Sequence, residues 1–467
     1  MRLFDTNVQE LKYKVLREVI RLDAEGTLNE KRGGIPRTIV PGPKATMRCC
    51  IYHERAIVEE RVRLAMGEGD ETAGTVEVIG PACEECPNQR FSVTGTCRGC
   101  IAHRCAANCP AAAISFVEQK AVIDPEKCRE CGRCMRVCPY SAIIEQQRPC
   151  IRGCKAKAIS LDGQRKAKID ESKCIACGTC VYQCPFGAIV DRSFVLRAAA
   201  LLRGSQGGKA YRVVAALAPA VATQFSYAKI GQIVAGLKQI GFDTVAEVAE
   251  GAGHVAHSEA RELAEKGFLT TSCCPAFVEY TRKNFPKLAG HISSNTSPMV
   301  ETARLIKAAD PSAKVVFIGP CIAKKREFLQ EGSGVDCVLT FEELQAFFDG
   351  RGVRIEELPE EPLSGADYFG RVFARSGGVT DAVAHALAEE NSGFELRPEV
   401  CNGLEACRAA LLKASAGKLA ANFIEGMACE GGCIGGAACL SHGPADQREV
   451  EKYARRAGGG APQSTAG

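Results

Sequence analysis

Twenty-seven of the 467 residues are cysteine, and their spacing is what gives this chain its capacity for chemistry. Cys128, Cys131, Cys134 and Cys138 precede a proline, and Cys174, Cys177, Cys180 and Cys184 repeat the same C-x2-C-x2-C-x3-C-P run. Three closely spaced thiols can wrap one face of a four-iron, four-sulfide cube, while the thiol before proline reaches a neighbouring cube. Cys97, Cys100, Cys105 and Cys109 form a third run with one longer gap. Crossing the last cysteine of each run to its partner groups Cys97, Cys100 and Cys105 with Cys138, and Cys128, Cys131 and Cys134 with Cys109. A second module takes Cys174, Cys177 and Cys180 with Cys154. A fourth site would use Cys150 and Cys184, with Cys83 and Cys86 supplying the remaining thiolates; the alternative for Cys83 and Cys86 is a zinc knuckle shared with Cys97 and Cys100. Cys49 and Cys50 are left over and read as buried structural thiols, as do Cys337, Cys401 and Cys407.

The elements that must hold these thiols can be read from repeats. A unit ends in CPAAAI at Cys109, CPYSAI at Cys138 and CPFGAI at Cys184, with a degenerate copy, CKAKAI, at Cys154. The linking segments SFVEQKAVIDPEKC and SLDGQRKAKIDESKC read as short hairpins. Residues 81–191 are therefore expected to form two α+β, ferredoxin-like modules. Before them, residues 1–80 are expected to form a helical segment, in which Thr6-x-x-Gln9 is a capping box and Val8, Leu11, Val15 and Val19 share one helical face. Residues 192–210 read as a short helix and a flexible Ser/Gly linker. From 211 to 445, VVAALAPAV, LTTSCCPAF and KVVFIGPCIAKK each run from a strand pattern into a loop rich in proline or cysteine, which predicts an α/β domain. Residues 446–467, ending in AGGGAPQSTAG, read as a disordered tail.

Composition narrows the function classes. Hydrophobic residues make up 46% and no apolar run is long enough to span a bilayer, so no membrane role is expected. The N-terminus has no signal-peptide core, which points to a cytoplasmic chain whose thiols stay reduced for metal or catalysis. Seven histidines and no tryptophan make haem or copper poor guesses. The formal charge of +4 is offset once cubes bind, each adding about −2, and no basic stripe with aromatics suggests nucleic acid.

Three segments of the second half resemble the signatures of the [FeFe]-hydrogenases, in that family's order: Thr271-Ser-Cys273-Cys274-Pro-Ala-Phe277, Pro320-Cys321-Ile-Ala-Lys324-Lys325-Arg-Glu327 and Glu425-Gly-Met427-Ala-Cys429-Glu-Gly-Gly-Cys433. The resemblance implies an α/β catalytic domain of two lobes around an H-cluster, catalysing 2 H⁺ + 2 e⁻ ⇌ H2. It implies that Cys274, Cys321, Cys429 and Cys433 ligate a fifth cube, with Cys433 bridging to a [2Fe] subcluster carrying CO, CN⁻ and an azadithiolate. By the same resemblance Lys324 donates to a cyanide while Lys325 points elsewhere, and Cys273 shuttles protons. Ala218 and Pro219 resemble the apolar loop against the two-iron unit, Phe373 and Arg375–Val379 resemble the segment covering it, and Met427 packs on the cluster. Implied partners are a ferredoxin or flavodoxin-type carrier and H-cluster maturation proteins. Gly319 stands where the family usually has methionine, and Gly435-Gly-Ala-Ala-Cys439 replaces its usual Gly-Gly-Gly-Gln-Pro; both replacements resemble the group B branch.

Glu259 and Glu262, three apart on an expected helix, and Ser293 or Ser294 are candidates for the outward proton route, against the plainer reading of a solvated helical face. Relatives that keep the cube ligands but lack the two-iron unit serve as iron–sulfur assembly scaffolds, and others are sensors. Cys273 and Lys324, which only a working two-iron site needs, favour the enzyme.

Overall fold

The computed structural model describes residues 3–68, 74–87, 89–363 and 365–457. The N-terminal helix, Asn7–Ala24, starts at the expected capping box: the Thr6 hydroxyl accepts from the Gln9 N–H, and the Gln9 side chain accepts from the Thr6 N–H, both at 3.2 Å. Val15, Leu16, Val19 and Ile20 are buried and form one core with the catalytic half. Helix Ile51–Ala65 follows, with Val58 and Val62 in the same core.

Two iron–sulfur modules share one topology, and one is inserted into the other. In the inner module Phe91–Val93 pairs antiparallel with Ile143–Glu145 around the hairpin Ile114–Val117/Lys120–Ile123. In the outer module Val76–Val78 pairs antiparallel with Ile189–Asp191 around the hairpin Ile159–Leu161/Ala167–Ile169. The inner module therefore interrupts the outer one between Cys86 and Cys150. Since Val76–Val78 belongs to the outer sheet, the modules begin before residue 81, where the sequence reading had placed their edge. In all four repeat units the alanine N–H donates to the cysteine sulfur four residues back, at 3.3 Å for Cys109, 3.4 Å for Cys138, 3.3 Å for Cys154 and 3.2 Å for Cys184. The degenerate CKAKAI copy thus keeps the geometry.

Residues Val195–Gly204 form the short helix of the 192–210 segment, and Val195, Ala198, Ala199 and Leu202 are buried in the main core, because the small apolar face packs. The second half of the chain holds two parallel sheets. One orders its strands Thr244–Glu247, Val213–Leu217, Lys314–Gly319, Cys337–Thr340; the other orders Leu269–Thr270, Phe423–Met427, Pro398–Asn402. Val213–Leu217 is buried along its whole length, as expected of a strand covered on both faces.

The tail reading is also corrected: Asp446–Ala454 is a helix with Val450, Tyr453 and Ala454 buried. Tyr453 donates its hydroxyl to Glu247 at 2.6 Å, Arg371 grips the same carboxylate at 2.7 and 2.8 Å, and Arg375 pairs with Glu451 at 2.7 Å. These charges fix a helix that composition alone made look loose. Residues 458–467 of the expected tail lie outside the described residues.

A buried ion network joins the halves. Lys325 Nζ meets Asp191 at 2.7 Å, Glu343 at 2.8 Å and the Arg192 carbonyl at 2.8 Å, and all three side chains are fully buried. Lys12 of the N-terminal helix adds contacts to Asp191 at 2.5 Å and Glu342 at 2.6 Å. Burial pushes Asp191 up, but Lys12 and Lys325 together hold it below the ordinary carboxylate range. Removing one member of such a buried pair costs about 3–5 kcal/mol, against about 0.5 kcal/mol for an exposed i,i+4 pair. Lys325→Ala is therefore expected to lower the thermal unfolding midpoint clearly, while Lys14→Ala, whose pair with Glu10 is solvent-exposed, leaves it nearly unchanged. Equal midpoints for the two variants would contradict the network's role.

Candidate metal centre and proton route

The candidate residues gather because they follow strand ends. Ala218 and Pro219 follow Val213–Leu217, Pro320 and Cys321 follow Lys314–Gly319, Cys273 and Cys274 follow Leu269–Thr270, and Cys429 and Cys433 follow Phe423–Met427. The carboxyl ends of parallel strands are where such sheets place their sites.

Cys274, Cys321, Cys429 and Cys433 lie within electrostatic reach of one another. Burial, and then the neighbouring thiols, push Cys321 up to about 11 and Cys433 up to about 12, and raise Cys429 well above the usual thiol range. Four half-buried thiols with one ammonium among them are favoured as thiolates around a cationic core, which is the donor set of a cube. Beside them is an apolar cavity of about 80 Å³, bordered by Ala218, Pro219, Cys273, Phe373, Met427, Cys433 and Lys324. Apolar walls with a single ammonium and an adjacent thiolate fit an anionic, metal-bound group that must stay dry.

Gly319, the departure from the family pattern, has a local explanation. A Cβ there would lie 2.7 Å from two ring carbons of Phe317 and 3.0 Å from the Ala218 methyl, so Phe317 fills the space and forms that cavity wall. Phe317 was not singled out from the sequence, where it reads as one more strand residue. Glu425 was also missed as a functional group. It is fully buried and accepts from the Gly377 and Thr380 N–H groups at 2.6 and 2.7 Å, tying the third motif to the segment that covers the cavity.

Lys324 and Lys325 part ways as expected. Lys324 borders the cavity, with its ammonium 3.4 Å from the Cys273 carbonyl and 2.7 Å from Glu327. Burial works against its charge, but Glu327 and then Cys321 and Cys273 hold it above the usual lysine value.

Both glutamates are on helix Val248–Lys266, which is buried along this face, so the solvated reading fails. One oxygen of Glu259 accepts from the Ser272 N–H and hydroxyl, both at 3.1 Å; the other has no hydrogen-bond partner among the described residues. Burial raises Glu259 to about 7. Burial, and then the Glu259 carboxylate, hold the Cys273 thiol well above the usual range. Ser293 lies beside Glu259 and donates to Glu262 at 3.0 Å, while Ser294 donates its N–H to the same carboxylate at 3.0 Å. Glu262 pairs in turn with Lys266, which is 43% exposed. Burial raises Glu262, but the donors from Lys266 and Ser294 win and hold it below the ordinary value.

Residues 211–437 match the family model described as iron only hydrogenase large subunit, C-terminal domain. Residues 96–142 match a 4Fe-4S dicluster domain and residues 167–190 a 4Fe-4S binding domain. This is an [FeFe]-hydrogenase-like protein with an N-terminal iron–sulfur domain. It is 27% identical over 298 residues to iron hydrogenase 1 of Clostridium pasteurianum, covering 51% of this chain and 52% of that one. It is 29% identical over 265 residues to the cytosolic Fe-S cluster assembly factor NAR1 of Eremothecium gossypii, covering 42% and 59%. A solved [FeFe]-hydrogenase structure described as a stage of stepwise H-cluster assembly covers 56% of this chain and 88% of its own, at 24% identity and a TM-score of 0.46. The chain spans about half to three fifths of the length of the curated relatives it matches.

In this hydrogenase-like protein several of the remaining cysteines are neighbours. Cys105 has Cys100 and Cys138 as neighbours, and Cys134 has Cys128 and Cys109. Cys180 has Cys177, Cys174 and Cys154. Cys150 has Cys184, Cys86 and Cys83, so Cys83 and Cys86 sit apart from Cys97 and Cys100 and the zinc-knuckle alternative falls. Cys177 also neighbours Cys274 and Cys429, which puts the outer module against the catalytic quartet. Cys49 and Cys50 are exposed, correcting the reading of buried thiols: Cys50 Sγ caps helix Ile51–Ala65 from the surface. Cys337, Cys401, Cys407 and Cys439 are buried. No described helix is long and apolar enough to cross a membrane.

Because the folded site disfavours its charge, Glu259 is expected to be protonated below about 7 and ionised above it. A carboxylic C=O infrared band titrating near 7, absent in Glu259→Gln, is the expected result. A band that ionises near 4.5, the ordinary value, would contradict it.

Proposed function

We propose that the chain catalyses 2 H⁺ + 2 e⁻ ⇌ H2, with electrons relayed by four cubes to a fifth. The observation that carries this reading is that Cys273 and Lys324 border one apolar cavity beside the Cys274, Cys321, Cys429 and Cys433 thiols. The residues that would hold the relay cubes are Cys97, Cys100, Cys105 and Cys138; Cys128, Cys131, Cys134 and Cys109; Cys174, Cys177, Cys180 and Cys154; and Cys83, Cys86, Cys150 and Cys184. Cys274, Cys321, Cys429 and Cys433 would hold the fifth, next to the cavity that would take the [2Fe] subcluster. When bound, that subcluster supplies the open metal site where protons and electrons combine.

The chain's own residues do the rest. Lys324, held charged by Glu327, presents a fixed donor to an anionic ligand on the cavity wall. Ala218, Pro219, Phe317, Phe373 and Met427 exclude water. The Cys273 thiol stays protonated between turnovers, gives its proton at Sγ to the cavity side, and recovers it from Glu259. Glu259, near 7, can both take and give a proton at neutral pH, the condition for an efficient acid–base group. Ser293 and Glu262 continue the path to the Lys266 surface. The proposed electron donor is a ferredoxin or flavodoxin-type carrier, and maturation proteins deliver the subcluster.

A scaffold role is the second reading, favoured by the likeness to a cytosolic Fe-S cluster assembly factor. One variant separates the two. Cys273→Ala is expected to keep all iron and the CO and CN⁻ bands while hydrogen turnover falls by about 10² or more, the scale of losing a general acid/base. Aspartate at 273 should restore more activity than serine. Full turnover in the loaded Cys273→Ala protein, or a loss of about six irons marking Cys273 as a ligand, would contradict the assignment.

A further inference from the structure

The repeats allow an internal comparison at the fourth relay site, and the inference rests on the ligand set Cys83, Cys86, Cys150 and Cys184 proposed above. In every unit the third residue after the final cysteine is left-handed: Ala112 at φ 47°, Ser141 at 48°, Lys157 at 53° and Gly187 at 58°. Three of the four carry a side chain in that conformation, so conformation alone does not demand glycine. What demands it is Arg61. A Cβ on Gly187 would lie 2.4 Å from Arg61 Nη2, which donates to the Gly187 carbonyl at 2.5 Å. Arg48 donates to the preceding carbonyl, Phe186, at 2.7 Å and lies over its ring at 5.4 Å. On the other side of the site, Arg148 Nη1 lies 3.7 Å from Cys83 Sγ. Arg61 and Arg148 are only 5% and 4% exposed.

The acidic groups nearby are weaker. Glu85 is 3.9 Å from Arg48 and 40% exposed, and Glu84 faces Lys166 at 3.5 Å from the surface. The adjoining site differs: the charged neighbours of Cys180 are Cys177, Cys174, Cys154 and Cys150, and Cys174 faces Glu171 as well as Arg326. Reduction adds a negative charge to a cube already anionic with its thiolates. Burial opposes that, but the same low dielectric strengthens the attraction of buried arginines, and net charge and hydrogen bonds at the sulfurs set the potential. Backbone N–H groups of Ala167 and Ala188 add donors to Cys83 and Cys184 at 3.3 and 3.2 Å.

We propose that this site holds the most readily reduced cluster of the relay, with Arg148, Arg61 and Arg48 raising its potential, so that it stores the first of the two electrons that hydrogen formation consumes. The carrier is oxidised by one electron and the cluster reduced by one, with no bond or proton changing place. The test is a redox titration followed by electron paramagnetic resonance on the full chain loaded with cubes but made without the two-iron unit. The first signal to appear as potential falls is expected to vanish in Cys150→Ala together with about four irons. It is expected to move to lower potential in Arg148→Gln and in Arg48→Gln, and to stay near its original potential in Arg148→Lys. If Cys150→Ala removes a later signal and spares the first, or if both glutamine variants leave the first unmoved, the proposal is overturned while the ligand set stands. If Cys150→Ala loses neither iron nor signal, the ligand set itself fails, and the proposal with it.

Discussion

Lys325 stands between two carboxylates from different halves of the chain. Asp191 closes the last strand of the outer iron–sulfur module, and Glu343 lies in the first turn of helix Phe341–Gly350 in the catalytic half. Neither carboxylate reaches water, and the ammonium between them pairs with both. Everything proposed here depends on that constraint. A relay works only if the distance between its last cluster and the catalytic quartet is fixed, and Cys177 and Cys429 come from opposite sides of this joint. Lys324, one residue away, gains its orientation from the same short helix, Ala323–Glu327. The N-terminal helix reinforces the joint, since Lys12 bridges Asp191 and Glu342 while Gln9 reaches Glu342 and the Cys439 carbonyl at 3.0 and 2.9 Å.

The cavity follows a complementary logic. Apart from Lys324 and the cysteines its walls are apolar, and other polar groups stand one layer behind them. Glu327 neutralises Lys324, Glu425 fastens the covering segment, and Glu259 sits behind Cys273 with one oxygen left unpaired. A buried carboxyl in that condition is held near neutrality, which suits it to pass protons and not to anchor structure.

Much of this was legible in the cysteines, because cluster spacing is local and three motifs in order are specific. The alternation of strand patterns with loops rich in proline and cysteine also located the catalytic half, since side-chain periodicity is local too. What stayed hidden was non-local. The sequence joins Cys83 and Cys86 to Cys150 and Cys184, but that the inner module is inserted between Cys86 and Cys150 could not be read from any one window. The segment after Arg192 reads as a short helix, but its pattern does not show that its alanines pack into the main core. The C-terminal helix looked like the edge of a disordered tail, yet Tyr453 and Glu451 bind Glu247, Tyr368 and Arg375, partners 76 to 206 positions away in sequence. Gly319 read as a departure from the family pattern, and only packing shows that Phe317 takes the space.

The cavity beside Cys433 is proposed to receive a two-iron unit carrying CO and CN⁻. An infrared spectrum of the protein produced with its maturation partners tests this most directly, because those ligands absorb where protein does not. The account predicts sharp CO and CN⁻ bands in the wild-type chain, with the cyanide bands disturbed or lost in Lys324→Ala. A protein fully loaded with cubes that shows no such bands under conditions that mature a known [FeFe]-hydrogenase would contradict it.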